Sequence, residues 1–113
     1  MNVKITRKTC LDSWSNTTCS GEYWLINARA YNHAGDRFYR FKFVLFLDPS
    51  NDLWDPETEQ DLDHDDVLNE MIASFVDVLS DVHFDDEPVI RWFYDECNYT
   101  IERYNNSPSV RRW

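Results

Sequence analysis

The chain has 113 residues, 42% of them apolar and 16% aromatic, with 21 Asp/Glu against 11 Lys/Arg and a net charge of −10. That length holds one domain, and so many aromatic rings exclude a disordered acidic chain. The longest purely apolar run, Phe43 to Leu47, is five residues, which excludes a membrane-spanning helix; no charged-then-apolar leader opens the chain, so the expected compartment is the cytoplasm.

Periodicity predicts an α+β domain, a small antiparallel β-sheet of about three strands followed by two α-helices packed on one face. The first strand is expected at residues 2–8, where Val3 and Ile5 alternate in phase. Residues 9–20, rich in Ser, Thr and Asn, read as a loop. A hairpin follows at 21–47. Its first arm puts Trp24, Ile26, Ala28 and Ala30 on one face; its second puts Tyr39, Phe41, Phe43, Leu45 and Leu47 there, against Arg40 and Lys42. Ala34-Gly35 supplies the turn, where glycine tolerates positive φ.

Residues 48–63 read as an acidic loop, and 64–82 as an amphipathic helix. Val67, Leu68, Met71, Ile72, Phe75, Val78, Leu79 and Val82 fall within about half its circumference at ~100° per residue. Asp66, Glu70, Asp77 and Asp81 cluster on the opposite side, a stripe ~22 Å long at ~1.5 Å rise per residue. Asp77 and Asp81 approach the negative end of the helix dipole, so helix stability does not account for them. A second helix is expected at 87–104, opened by acidic residues and Pro88, with Val89, Ile90, Phe93, Tyr94, Cys97, Ile101 and Tyr104 on its inner face. Trp92 and Tyr99 then point outward beside Asp95. Residues 105–113 form a tail.

Charge is distributed in blocks. Residues 1–42 carry +4, residues 43–90 carry fifteen Asp/Glu and no Lys/Arg, and residues 91–113 carry +1. A single-sign field of this kind costs self-repulsion and suits a cationic partner.

Other chemistries fit less well. Asp61, Asp63 and Asp65 open like a calcium loop, but Asp66 stands where glycine is needed and Ile72 where a bidentate glutamate is needed. His33, His64 and His83 have no ligand spacing, and Cys10, Cys19 and Cys97 are scattered as reduced thiols are. No cofactor or metal is therefore expected. No Ser-His or Cys-His pairing is visible, and two glycines cannot build a phosphate loop, so no enzyme is expected. Direct nucleic-acid binding is disfavoured, because the acidic block repels phosphate and Arg29, Arg40 and Lys42 are too few to outweigh it.

The acidic side can instead imitate a polyanion, since Asp66 to Glu70 is a ~6 Å step on a rigid helix. The expected partner is a basic nucleic-acid-binding protein, and the candidate partner-binding residues are Asp36, Asp66, Glu70, Asp77, Asp81, Asp85, Asp86, Glu87, Asp95, Trp92 and Tyr99. A solvated acidic surface without a partner is the alternative.

The turn "YNHAGDRFY", the helix segment "VLNEMIASF", and "DDE" followed by "WFYDECNYTI" resemble the small phage anti-CRISPR proteins that inhibit type II-A Cas9. The likeness spans roughly residues 22–104 as short segments. It implies a PAM-duplex mimic acting in the host bacterial cytoplasm, offering carboxylates to the arginines of a Cas effector nuclease that would otherwise contact guanines. The matching surfaces are the turn (Asn32, Gly35, Asp36) and the acidic link (Asp85, Asp86, Glu87). That family begins with a helix and has a short linker before its first acidic helix, whereas here a strand pattern opens the chain and the long acidic loop intervenes. A bacterial immunity protein that neutralises a basic nuclease toxin is the rival reading, with Trp54, Trp92 and Tyr99 as aromatic anchors.

Overall fold

The computed structural model describes residues 1–15 and 20–107. Three strands, β1 (Asn2–Ser15), β2 (Ser20–Tyr31) and β3 (Phe38–Leu47), form an antiparallel meander. They are followed by α1 (Pro49–Asp52), the two-residue strands β4 (Trp54–Asp55) and β5 (Gln60–Asp61), α2 (His64–Ser80) and α3 (Glu87–Asn105). This is the expected α+β arrangement. No helix of the described residues is long and apolar enough to cross a membrane.

The β2–β3 pairing sets the core. Ile26 pairs with Phe43, Ala28 with Phe41 and Ala30 with Tyr39, so the apolar positions of both arms share one face. The small side chains Ala28 and Ala30 in the central strand leave room for the helices. Leu68, Ile72 and Leu79 of α2 and Ile90, Phe93 and Cys97 of α3 close this face. Phe75 is wedged between the layers, with its ring 4.2 Å from Phe43 and 5.8 Å from Phe93.

One side chain expected in this core lies outside it. Val78 is 57% exposed, and Val76 packs on the core instead. At ~100° per residue Val78 stands about 120° round from Ile72, and the buried arc of α2 is centred nearer Val76.

Strand β1 corrects the sequence reading more substantially. Residues 9–15, expected as loop, continue the strand to Ser15. Its register slips between Ile5 and Arg7 and again between Cys10 and Asp12, two bulges that reset the inside–outside alternation and so erase the strand signature. The rest of the expected loop (16–19) and most of the expected tail (108–113) lie outside the described residues. Bulges and charged residues also blunt β1 as an edge.

The opposite edge, β3, is covered by α3. Thr100 Oγ1 accepts the Val44 N–H at 2.9 Å, and the Tyr104 ring reaches round to meet Tyr23 at 4.9 Å on the other face of the sheet. There Trp14, Tyr23 and Phe46 form an aromatic cluster, with centroids 5.1–6.0 Å apart. Gly21 lies beneath it. A Cβ at that position would come within 2.4 Å of Trp14 Cζ2 and 2.8 Å of Phe46 Cε2.

The acidic segment 48–63 is also more ordered than a loop. Asp48 caps α1 by accepting from the Ser50 N–H, while Asp52 accepts from the Asp48 N–H at 2.8 Å. Trp54 and Asp55 then pair with Asp61 and Gln60.

The crowding at Gly21 yields a stability prediction. Gly21→Ala should cost roughly 1–3 kcal/mol by overpacking against the indole, measured by denaturant unfolding. In a Trp14→Ala background the same substitution should cost less, because the two closest contacts, both with the indole, are gone and only the one with Phe46 Cε2 remains.

Candidate functional site

The helix α2 starts where Asp63 caps it. The Asp63 carboxylate accepts the Asp65 and Asp66 N–H groups at 3.0 and 3.1 Å. The calcium-like run is therefore the end of β5 followed by a helix start, with one carboxylate already used by the backbone. Among the described residues no group of three or more His, Cys, Asp or Glu is placed to hold a metal ion.

Local duties divide the carboxylates into two sets. Asp48, Asp52, Asp55 and Asp63 all accept backbone N–H groups in turns and caps. Glu22 accepts from the Trp24 indole at 2.8 Å and faces His64 Nε2 at 2.6 Å. In contrast, the exposed carboxylates of Asp66, Glu70, Asp77, Asp81, Asp86, Glu87 and Asp95 have no hydrogen bond or ion pair within the described residues. Of the remaining expected site residues, Asp36 accepts from Asn32 Nδ2 at 2.8 Å, and Asp85 lies 4.0 Å from His83 Nδ1. Trp92 and Tyr99 are 54% and 56% exposed on α3.

The structure brings part of this set together. The β2–β3 turn and the α2–α3 link face each other across an open cleft of about 880 Å³, lined on one side by Asn32, His33 and Arg37 and on the other by Asp81, His83 and Asp85. Asn32 builds the turn: its Oδ1 accepts the N–H groups of Gly35, Asp36 and Arg37, and Gly35 takes φ +79°. The turn is thus a six-residue loop, 32–37, rather than a two-residue connection. The stripe on α2 runs into this cleft through Asp81. Asp95, Trp92 and Tyr99 occupy the outer face of α3, which also carries Arg103 over the Tyr99 ring at 5.8 Å.

Three features of the site escaped sequence reasoning. Arg37 sits inside the acidic cleft, its guanidinium 5.4 Å from the Phe84 ring. The Met1 ammonium donates to the Ser80 and Val82 carbonyls at 2.8 and 3.2 Å, placing a positive charge at the negative end of α2. Val78 adds an exposed apolar side chain between Asp77 and Asp81. None of these has a local sequence signal, because each depends on distant elements meeting or on how α2 is turned.

A second surface appears on the far side of the sheet. Register aligns Lys4 with Arg29 and Arg29 with Arg40, and in the next row Arg7 with Asn27 and Asn27 with Lys42. All five cations project away from the helices. Among the described residues no Lys or Arg makes an ion pair, and the only such contacts are those of His64 and His83. The sequence reading finds three of these cations, Arg29, Arg40 and Lys42; Lys4 and Arg7 join the face only through the register of β1.

The thiols are poor nucleophiles. Burial, reinforced by Glu96, pushes the buried Cys97 up to about 12, and burial with Glu22 nearby also raises Cys10. Cys19 lies outside the described residues. No family model matches the chain, and no curated protein and no solved structure matches it.

The His64–Glu22 contact predicts a pH dependence. The hydrogen bond to Glu22 raises His64 above its ordinary 6.5, with burial opposing the shift and Asp65 supporting it. The stabilisation is fully present below about pH 6.5 and is lost as pH rises through the raised value. At about pH 5.5 wild type should exceed His64→Gln by roughly 0.5 kcal/mol, a small figure because the pair is partly solvated, and the gap should close by about pH 8.5. A gap independent of pH in denaturant titrations would remove the ion pair from the account.

Proposed function

We propose that the domain is an inhibitory binding module that presents its acidic helix side to the nucleic-acid groove of a basic protein. The observation that carries this reading is the set of exposed carboxylates on α2 and the α2–α3 link that have no partner among the described residues. Structural carboxylates would be expected to cap, bridge or pair, as Asp48, Asp63 and Glu22 do. The unpaired ones recur along a rigid helix at phosphate-like steps and keep their full charge for another molecule.

The segmental resemblance in the turn and the acidic link directs the proposal to a Cas effector nuclease. In that reading Asp85, Asp86 and Glu87 meet PAM-reading arginines through charge-assisted hydrogen bonds, and Asp36 on the β2–β3 turn adds a further carboxylate. Val78 and Trp92 give the charged surface apolar contacts that desolvate it. A bacterial immunity protein against a nuclease toxin remains the second reading, favoured by the exposed Trp54, Trp92 and Tyr99.

Calorimetric titration into a guide-loaded type II-A Cas9 tests the first reading, and titration into basic nuclease toxins tests the second. Tight binding should be displaced by a PAM-containing duplex and should weaken as salt rises. Replacing Asp85, Asp86 and Glu87 by Asn, Asn and Gln should weaken it by about 100-fold or more, since each charge-assisted bond to arginine is worth ~1.5–3 kcal/mol. Neutralising Glu57 and Glu59 should cost only a few-fold, through the on-rate. Unchanged affinity in the triple variant, or no competition by duplex, would return the acidic side to a solvated surface.

A further inference from the structure

We infer that the open face of the sheet is a binding surface for single-stranded nucleic acid. The inference concerns the side of the molecule opposite the acidic helices and does not depend on what those helices bind.

Five cations stand on this face in two rows. One row is Lys4, Arg29 and Arg40 across all three strands; the other is Arg7 and Lys42 with Asn27 between them. Adjacent strands lie ~4.8 Å apart and positions two residues along a strand ~7 Å apart, so the rows track a backbone whose charges repeat on that scale. Charge complementarity points to a polyanion. Three of the five are arginines, whose planar forks engage phosphate oxygens in pairs. None is committed to a carboxylate of this chain among the described residues.

The aromatic rings beside these cations select nucleic acid over an acidic protein. Phe38 is 38% exposed at one end of the face and lies tilted against Tyr31, with ring centroids 5.2 Å apart. Arg29 and Arg40 lie 4.8 and 5.5 Å from the Phe38 ring, and Lys4 lies 5.7 Å from Tyr31. The Tyr31–Phe38 pair at one end of the face, with the Arg29 and Arg40 guanidinium groups against Phe38, offers bases a stacking platform while the charges hold the backbone. Between the rows a shallow groove of about 640 Å³ is lined by Thr6, Thr9 and Asn27 as well as the arginines, which supplies neutral donors and acceptors for base edges. An acidic peptide would need the charges but not the rings.

The net charge of −10 opposes binding over long distances. At physiological salt, however, the screening length is ~8 Å, and the acidic helices lie on the other layer of the sheet. Local charge therefore decides contact, and the site should accept unpaired strands, whose bases are free to stack.

The test is fluorescence anisotropy of labelled oligothymidylate and oligouridylate with the intact protein, at about 50 and 200 mM salt. Binding in the range of roughly 1–100 µM is expected, with a salt slope reporting about three to five phosphate contacts. Arg29→Gln with Arg40→Gln should weaken binding about tenfold or more, Arg29→Lys with Arg40→Lys less, and Phe38→Leu should weaken it while leaving the salt slope intact. Arg103→Gln, on the outer face of α3, should change nothing. Circular dichroism melts confirm that each variant is folded. Absence of an anisotropy change up to about 100 µM protein would overturn the inference. So would equal binding by the double glutamine variant and Arg103→Gln, or tighter binding of polyaspartate than of the oligonucleotides. Concentration-dependent oligomers that the double glutamine variant abolishes would assign the face to a second copy of the chain and overturn it too.

Discussion

Burial of one face of a three-stranded sheet governs everything else in this molecule. Phe41 and Phe43 pack inward against Phe75 and Phe93, and the strand period of two then sends Arg40 and Lys42 outward. The same alternation in β2 opposes Ile26 and Ala28 to Asn27 and Arg29. Core and cationic surface are thus two readings of one periodicity, and neither can shift without inverting the other. On the helical side, the apolar arcs of α2 and α3 face the sheet, so their charged arcs form the outer surface of that layer. A molecule with opposite charges on its two faces follows from this geometry and from where the sequence places Lys and Asp.

Elements were legible where periodicity is unbroken. β2 and β3 pair without a register shift and keep an apolar residue at every second position from Trp24 to Ala30 and from Tyr39 to Leu47. Both helices carry a broad apolar arc, so hairpin and helices could be read directly. β1 could not be read past Lys8, because Thr6 and Leu11 are extra residues and two phase changes look like no phase at all. Trp14 likewise gave no signal, since its role is to cover Gly21 on a neighbouring strand. In the acidic segment, Asp and Asn look alike as solvated loop residues or as caps, and only the folded structure distinguishes Asp48, Asp55 and Asp63, which are bonded to the backbone. The candidate carboxylates were visible as charges along a helix, but not which of them were already occupied. The two rows of cations needed the register of all three strands, which no local pattern contains.

The unpaired carboxylates cost the fold rather than support it. Neighbours ~6 Å apart repel by roughly 0.7 kcal/mol in water before salt screening, and Asp77 and Asp81 also oppose the dipole of α2. The Met1 ammonium at the Ser80 and Val82 carbonyls offsets part of this. Interspersed lysines on α2 would offset it better through pairs one turn apart, yet residues 43–90 contain none. The charge pattern is therefore not what folding alone would favour.

The two faces can act separately because they are physically separated. The smallest extent of the domain is 20 Å, more than twice the ~8 Å screening length at physiological salt. A ligand on the sheet meets Arg29 and Arg40 nearly unshadowed by the acids behind them, and a cationic groove on the helices meets Asp81 and Glu70 in the same way. Lower the salt and that independence ends. At ~0.01 M the screening length reaches ~30 Å, beyond the thickness of the molecule, and each face then feels the charge of the other. Polyanion binding at the sheet is opposed at that point by the whole net charge of −10, while a basic partner approaching the helices feels the same net charge as a longer-ranged attraction. At physiological ionic strength, by contrast, a screening length of ~8 Å against a thickness of 20 Å leaves each face to be decided by its own charges.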